Sequence, residues 1–324
     1  MTTPPTAAPL LPNIEEPPLP ENVQRALEGH DAATAARLKN IYLSIQKREA
    51  AEQAAPALQK QTPATKAKVV QLPLWPDPVR GVPNPLMRSA LFAAIQGKQR
   101  RAMQREVLEV QQGTEIRFTG IQLDQSDLDV WEQALHLARL QPLGTRCHFV
   151  AHSFLKTLGR STGKANHEWL KDSIARLAAC CVEVKYGRFT YGGSLLEFYR
   201  DDETGRYYLE INPKMKAIYE AGYTLTDWEE RAGLRGKPLA LWLHGYFATH
   251  ADPFPVKVET LHRLSGSVNK DIYSFKQKLD AALADVQAVG AIKGYVIEGD
   301  LVHVDRTPSP SQQRYLSKPK PRRK

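Results

Sequence analysis

Cysteine is scarce in this 324-residue sequence: only Cys147 and the adjacent Cys180 and Cys181 occur, a set that fits neither a disulfide framework nor a structural metal spacing. All three are expected to be reduced core residues. No apolar run approaches the roughly 18 residues that a membrane span requires. The amino terminus, MTTPPTAAPLLPNIEEPP, lacks the basic stretch of a secretory leader, so a soluble, cytoplasmic protein is expected. The nine histidines form no H-E-x-x-H or similarly tight ligand group, and no G-x-S-x-G or paired-carboxylate pattern marks a catalytic centre. His136, His152, His244 and His262 read as packing or surface residues, and Asp201, Asp202 and Glu203 as a hairpin tip ahead of Thr204 and Gly205. GRSTGK, Gly159 to Lys164, has three residues between its glycines where a phosphate-binding loop has four, and Ala165 where that loop continues with Ser or Thr. With no catalytic residue, metal or cofactor site legible, the chain is not expected to be an enzyme.

What is present is positive charge. Lys and Arg number 44 against 35 Asp and Glu, a formal net charge of +9, which favours an acidic partner such as nucleic acid. Six of the nine come from Thr307 to Lys324, where Arg314, Lys318, Lys320, Arg322, Arg323 and Lys324 occur without an acid. The rest of the chain is only about +3, so a duplex-binding surface there must come from local clustering. Residues 307–324 read as a disordered basic tail that adds a sequence-independent, salt-sensitive attraction to DNA.

Pro, Ala and Thr dominate residues 1–20, which bury too little apolar surface to order the chain. An amphipathic helix is predicted within 21–54 from Val23, Leu27, Ala36, Ile41 and Ile45, and 55–68 reads as a linker. From Leu86 onward helix and strand signals alternate. Helices are predicted over 86–104 and 124–140, the second with Asp124 as N-cap, and a strand over 114–119 between them. Strand 146–150, helix 151–158, a turn, helix 166–180, hairpin strands and helix 213–221 follow. The second half repeats the plan: a long helix over 226–250, strand 256–258, helix 259–264, the turn SGSVN, helix 270–289 and a hairpin. Leu135, Leu155, Leu158, Leu170, Ile174 and Cys181 fall opposite Leu241, Leu261, Leu264, Phe275, Leu279 and Val286 at an offset near 105 residues, which indicates duplication. The fold class is therefore α+β: two tandem winged helix-turn-helix domains, 86–222 and 223–306, behind a largely disordered arm, 1–85.

Helical periodicity over 270–289 places Ile272, Phe275, Leu279, Ala282, Leu283 and Val286 on a core face. The opposite face carries Lys270, Tyr273, Ser274, Gln277, Lys278 and Ala281. Gln bonds an adenine edge in bidentate fashion, Lys reaches guanine or phosphate, and a small Ala permits close approach. A solvated polar face has the same composition, but the preceding turn and the following hairpin, with Lys293 and Tyr295, favour DNA recognition. The matching helix of the first module exposes Glu168, Lys171, Asp172, Ala175 and Arg176, whose acids repel phosphate. That module is expected to give backbone contacts from Arg160, Lys164 and Arg188, or a protein interface.

In the arm, Gln71, Leu72, Pro73, Leu74 and Trp75 resemble the bacterial sliding-clamp-binding pentapeptide, in which leucines and an aromatic ring enter an apolar pocket and the glutamine bonds its rim. Pro73, Pro76 and Pro78 keep the segment extended. The competing reading is a hydrophobic linker packed on the first module.

Taken together, QLPLW, PNPLMRSALFAAIQGKQRR, GRSTGKANHEWLKDSIARLAACCVEVKYG, LRGKPLALWLHGYFATH and LHRLSGSVNKDIYSFKQKLDAAL resemble the TrfA family of plasmid replication initiators over about residues 70–306. The resemblance implies a protein whose monomers bind direct repeats in a plasmid origin, whose dimers are inactive, and which helps open an adjacent A+T-rich segment. Implied partners are the duplex repeats, the host initiator, the replicative helicase, the sliding clamp and a second copy, with the A+T-rich single strand as a further option. Pro73 and Trp75 depart from the usual Ser or Asp and Phe of the pentapeptide. A winged-helix transcriptional repressor shares the duplex-reading features but has no use for the arm peptide, and a relaxase or nuclease lacks its metal cluster and nucleophilic tyrosine.

Overall fold

The computed structural model describes residues 35, 36, 39, 40, 43, 73–96, 100–111, 113–140, 146–186, 189–220 and 222–317. The chain divides into two units, Met1–Lys68 and Val69–Lys324. In the first, Ala35, Ala36, Lys39, Asn40 and Leu43 are helical, within the stretch predicted as an amphipathic helix.

In the second unit, folding begins before residue 86. Trp75 is buried, and strand β1 (Val79–Pro83) pairs antiparallel with β11 (Tyr223–Asp227), Val79 opposite Asp227 and Pro83 opposite Tyr223. Residues 79–85 are thus part of the first half rather than of an arm, and 223–227 pair with it rather than opening the second. The helix predicted over 86–104 is not formed. A single turn, α1 (Asn84–Met87), is followed by β2 (Phe92–Ala93), which pairs parallel with β5 (Leu123–Asp124), and then by β3 (Ala102–Leu108). Pairing decides this: β3 lies antiparallel on β4 (Thr114–Ile121), with a bulge between Met103 and Glu106 where Arg105 takes φ +53°. Strand partners override the helix-forming residues Gln104, Arg105 and Glu106.

Helix α2 (Gln125–Ala138) is the spine of the first half. Asp124 caps it, accepting from the N–H groups of Ser126 and Asp127 in a reciprocal capping box, a device whose removal costs about 1 kcal/mol. Asp127 is fully buried but satisfied: Arg100 approaches at 2.7 Å, Arg176 at 2.8 Å and the Ser173 hydroxyl at 2.6 Å. Beside it run β6 (Arg146–Val150), α3 (Ala151–Thr157) and α4 (Lys164–Ala179). Strands β7 (Cys181–Tyr186) and β8 (Phe189–Gly193) extend β3 and β4 into a four-stranded sheet in the order β3-β4-β7-β8. Cys147 and Cys180 are buried, but Cys181, on the outer side of that sheet, is exposed, contrary to its reading as core. β9 (Glu197–Asp201) and β10 (Arg206–Glu210) join β6 in a second sheet ordered β6-β10-β9. A 3-10 turn and α5 (Lys216–Glu220) lead to β11.

The single helix predicted over 226–250 is two helices, α6 (Trp228–Gly233) and α7 (Pro238–Ala248). Gly236, at φ +81°, and Pro238 in the first turn of α7 separate them, the punctuation expected between helices. Then come β12 (Val256–Lys257), α8 (Val258–Leu264), α9 (Ile272–Ala288), β13 (Gly294–Glu298) and β14 (Leu301–Asp305). Their sheet has the order β12-β14-β13, the same path as β6-β10-β9, so the duplication read from leucine spacing recurs in strand topology. β7 and β8 are the insertion that distinguishes the first half. The aligned core residues are buried in both copies except Cys181, whose counterpart Val286 is buried. Within the stretch predicted as a disordered tail, Pro310–Leu316 form helix α10, which carries a Ser309–Gln312 capping box, and Gln312 Nε2 donates to the Ala248 carbonyl at 2.9 Å; residues 318–324, with Lys318, Lys320, Arg322, Arg323 and Lys324, lie outside the described residues.

Candidate nucleic-acid interface

Helix α9 starts from Asp271, whose carboxylate accepts the N–H groups of Tyr273 (3.2 Å) and Ser274 (2.9 Å). Phe275, Leu279, Ala282, Leu283 and Val286 face the core. Ile272, assigned to that face by periodicity, is 46% exposed because it sits one turn beyond the core's edge. On the outer side Lys270, Tyr273, Gln277, Lys278 and Ala281 are exposed, Tyr273 by 70%. Ser274 is half-buried and accepts from Asn269 Nδ2 at 3.2 Å, which makes it part of the turn as well as of the face. Five of the sequence-selected residues are thereby brought together at one end of the helix.

Lys293 is not among them. Its carbonyl accepts from Gln287 Nε2 at 3.0 Å, which places it beside the carboxyl end of α9. Gln287 is 17 residues beyond Lys270, roughly 25 Å along a helix. The far end of the hairpin, which meets the amino-terminal half of α9 through Lys276 Nζ donating to the Gly299 carbonyl at 2.6 Å, carries Glu298 and Asp300. The hairpin is therefore not the basic arm that Lys293 suggested. Tyr295 is also occupied: its hydroxyl donates to the Asp280 carbonyl and carboxylate, both at 3.1 Å, and burial followed by that carboxylate raises its pKa.

In the first half, Lys164 opens α4 on the exposed side, but Arg160 is half-buried with its guanidinium 3.6 Å above the Trp169 ring. Burial, the largest influence, pulls the Arg160 pKa down while Asp129 opposes it. The outer face of α4 presents Ala165, Glu168, Asp172 and Ala175, with Lys171 held by Glu168 at 2.8 Å. Arg176, expected on this face, turns inward to Asp127; helical spacing could not reveal a buried acid on another helix. Arg188 lies outside the described residues.

Gln71 and Leu72 also lie outside them. Leu74 is 65% exposed, but Trp75 is 5% exposed. Its ring covers Gly81, where an added Cβ would come within 2.8 Å of it. The indole N–H donates to His136 Nδ1 at 3.2 Å, and Arg139 Nε donates to the Trp75 carbonyl at 3.0 Å. In this conformation Trp75 is a core residue and not a free aromatic ligand, because a seat of matching shape and a hydrogen-bond partner exist in the first half.

Sequence reading missed the segment Arg235-Gly236-Lys237, hidden inside the supposed helix over 226–250, although Gly-Lys-Pro was the signal that could have exposed it. Lys237 and Gly236 border, with Gln96, Lys270, Lys278 and Ala281, a groove of about 860 Å³ along the outer face of α9. A smaller hollow that shares Ile95, Gln96, Gly236 and Pro238 continues it to Arg235 and Arg160. Lys237 pairs with Asp285 at 2.6 Å. Among the described residues, no three His, Cys, Asp or Glu side chains gather to hold a metal, and no helix is long and apolar enough to cross a membrane.

Two crystal structures of domains 2 and 3 of RctB, one of selenomethionine derivatives, superpose with TM-scores of 0.44 and 0.43 at 13% identity, covering 68% and 70% of this chain and 97% of each RctB chain. The plasmid replication initiator protein TrfA of Escherichia coli is 28% identical over 242 residues, which are 72% of this chain; the match spans 63% of that relative's length. The model of the TrfA protein family matches residues 43–306, from the first unit to just past the end of β14. Both repeated halves and the joint between them thus fall inside one family match, and the chain belongs to the TrfA family.

Proposed function

We propose that this protein is a plasmid replication initiator that binds origin DNA through two winged helix-turn-helix modules, with α9 as the sequence-reading helix. One observation carries the reading: the amino-terminal half of α9 gathers Lys270, Tyr273, Gln277 and Lys278 around the small Ala281, all in solvent. The acids of the same stretch are engaged, Asp271 in the cap and Asp280 by Tyr295. Such a face fits the major groove, about 12 Å wide, where Gln and Lys discriminate base edges. Family membership and the relative's initiator role support the same reading. The first half, with acids on α4, holds the sugar-phosphate edge through Lys164 and, from its stacked position, Arg160.

Its substrate is then a set of direct repeats. Binding several of them bends and untwists the duplex, and this deformation energy promotes opening of an adjacent A+T-rich segment. The host initiator, helicase and sliding clamp are the proposed recruits, with self-association limiting the active form. Clamp docking uses Gln71, Leu72 and Leu74, and Trp75 joins only on leaving its seat.

The test is competition binding with duplexes selected by the full chain from a random-sequence library. Gln277→Ala is expected to cost about 1–3 kcal/mol on the selected duplex and to level preference at one base pair. Undiminished discrimination removes Gln277 from the reader, and selection of no sequence by folded protein overturns the proposal.

A further inference from the structure

We infer that the two halves grip each other's turns, so that α4 and α9 form one rigid pair of fixed spacing, with Arg235 as a positioning residue; this rests on the reading that both halves touch one duplex. Each long helix is preceded by a short helix ending in a left-handed glycine, Gly159 at φ +64° after α3 and Gly266 at φ +62° after α8. Each of these turns is contacted by the other half. Arg235, from the loop after α6, donates Nη1 to the Gly159 carbonyl at 2.9 Å, and its guanidinium lies where a Cβ on Gly159 would fall. In the opposite direction, the Ala94 N–H of the first half donates to the Ser265 carbonyl at 2.7 Å. A Cβ on Gly266 would lie 2.9 Å from Ala93 Cβ and 3.2 Å from Ala90 Cβ.

The two grips are themselves joined, because Gln96 Nε2 donates to the carbonyl of Gly236, next to Arg235, at 3.2 Å. Behind them Arg231, 2% exposed, reaches from α6 to α2: its Nε lies 2.7 Å from Asp129 Oδ1, and Nη2 donates to the Gln125 carbonyl at 3.2 Å. The joint therefore runs between the amino-terminal ends of α4 and α9, the ends that face DNA in the proposed reading. A hinge rotation that changed the helix spacing would break a hydrogen bond at both turns and, at Gly266, a close-packed contact with Ala93 and Ala90. Packed interfaces of this kind resist small displacements.

A rigid pair counts base pairs. Inserting one between the segments touched by the two halves displaces one segment by about 3.4 Å and about 35° around the axis. The probes are the library-selected duplex, with each half's contacts assigned by hydroxyl-radical footprinting, and copies carrying one or two inserted base pairs. Full-length wild type is expected to lose at least about tenfold in affinity on a single insertion. Arg235→Lys and Arg235→Ala should bind the parent duplex more weakly yet lose less on insertion, shrinking the parent-to-insertion ratio by at least about threefold. Gln96→Ala should shift the ratio in the same direction by less. Arg235→Lys keeps the charge, so it separates positioning from attraction to phosphate. Variants that weaken on every duplex equally would make Arg235 a phosphate contact and overturn the inference, as would a wild type indifferent to insertion. Should the folded chain select no sequence at all, the DNA reading itself falls first.

Discussion

Helices α4 and α9 follow equivalent turns, have 16 and 17 residues, and stand against three-stranded sheets of the same order. Their solvent faces differ. α9 offers Lys270, Tyr273, Gln277 and Lys278, whereas α4 offers Glu168 and Asp172 and turns Arg176 inward to a buried carboxylate. A duplicated scaffold thus fixes where a helix stands, and the few side chains outside its core stripe decide whether it suits a polyanion. The first half commits its own cations to internal order, Arg100 and Arg176 on Asp127, and takes Arg231 from α6 of the second half onto Asp129 and Glu132. Burial pushes the Glu132 carboxyl up to about 7, against the pull of Arg231.

The largest effect expected of a single change concerns the foot of the first half. Trp75→Ala should lower stability by about 3–5 kcal/mol in urea melts, as removal of a buried aromatic does, while Leu74→Ala stays within about 0.5 kcal/mol. Equal, small effects would mean that residues 74 and 75 are both free, which would return the peptide to the arm. The same seat gives a pH dependence. His136 accepts the indole hydrogen in its neutral form, and burial, then Arg80 and Arg139, push its pKa down to about 4 from 6.5. Its contribution is therefore present above pH 6.5 and is lost as pH falls through about 4, so the urea midpoint should drop over that window.

Next in size is a charge reversal on each helix. Lys278→Glu is expected to weaken binding to the selected duplex by on the order of 2–3 kcal/mol, and Lys164→Glu by about 1 kcal/mol, because on the proposed reading the first half gives only backbone contacts. Equal losses in filter binding would erase the functional asymmetry between the helices. A converse change sharpens it: Glu168→Lys with Asp172→Lys should tighten binding to unrelated DNA and steepen the dependence of log K on log salt by about 1 to 2. An unaltered slope would show that α4 does not approach the duplex. Smallest of all, Lys293→Ala should change affinity by less than about 0.5 kcal/mol, since it lies beside the far end of α9; a tenfold loss would place the hairpin base on DNA.

The helices α2, α3, α4, α8 and α9 were legible because a 3.6-residue apolar stripe and a capping Asp or Gly are local signals. Strand β3 was not, since residues 102–108 carry helix-forming side chains and become a strand only through β4. The break at Gly236 was overlooked because the long apolar stretch around α7, buried on nearly every side, lacks the one-sided stripe that marks a helix end. For the candidate site, the shared exposed face of Lys270, Tyr273, Gln277 and Lys278 was legible from helical spacing. Lys293 was misplaced because proximity in sequence says nothing about which end of a hairpin meets a helix. Trp75 fitted a short motif, yet its environment depends on Gly81 and His136, which no motif contains.

The sequence by itself determined the duplication, the core stripes and the charged face of α9, because these follow from helical spacing and residue chemistry within a few turns. Only the tertiary structure decided which cations stay free, where Trp75 rests and how the two turns are held. Those outcomes depend on pairs such as Arg176 with Asp127 and Arg235 with Gly159, which lie 49 and 76 residues apart. The free energy of a charge or an aromatic ring is set by what surrounds it in space.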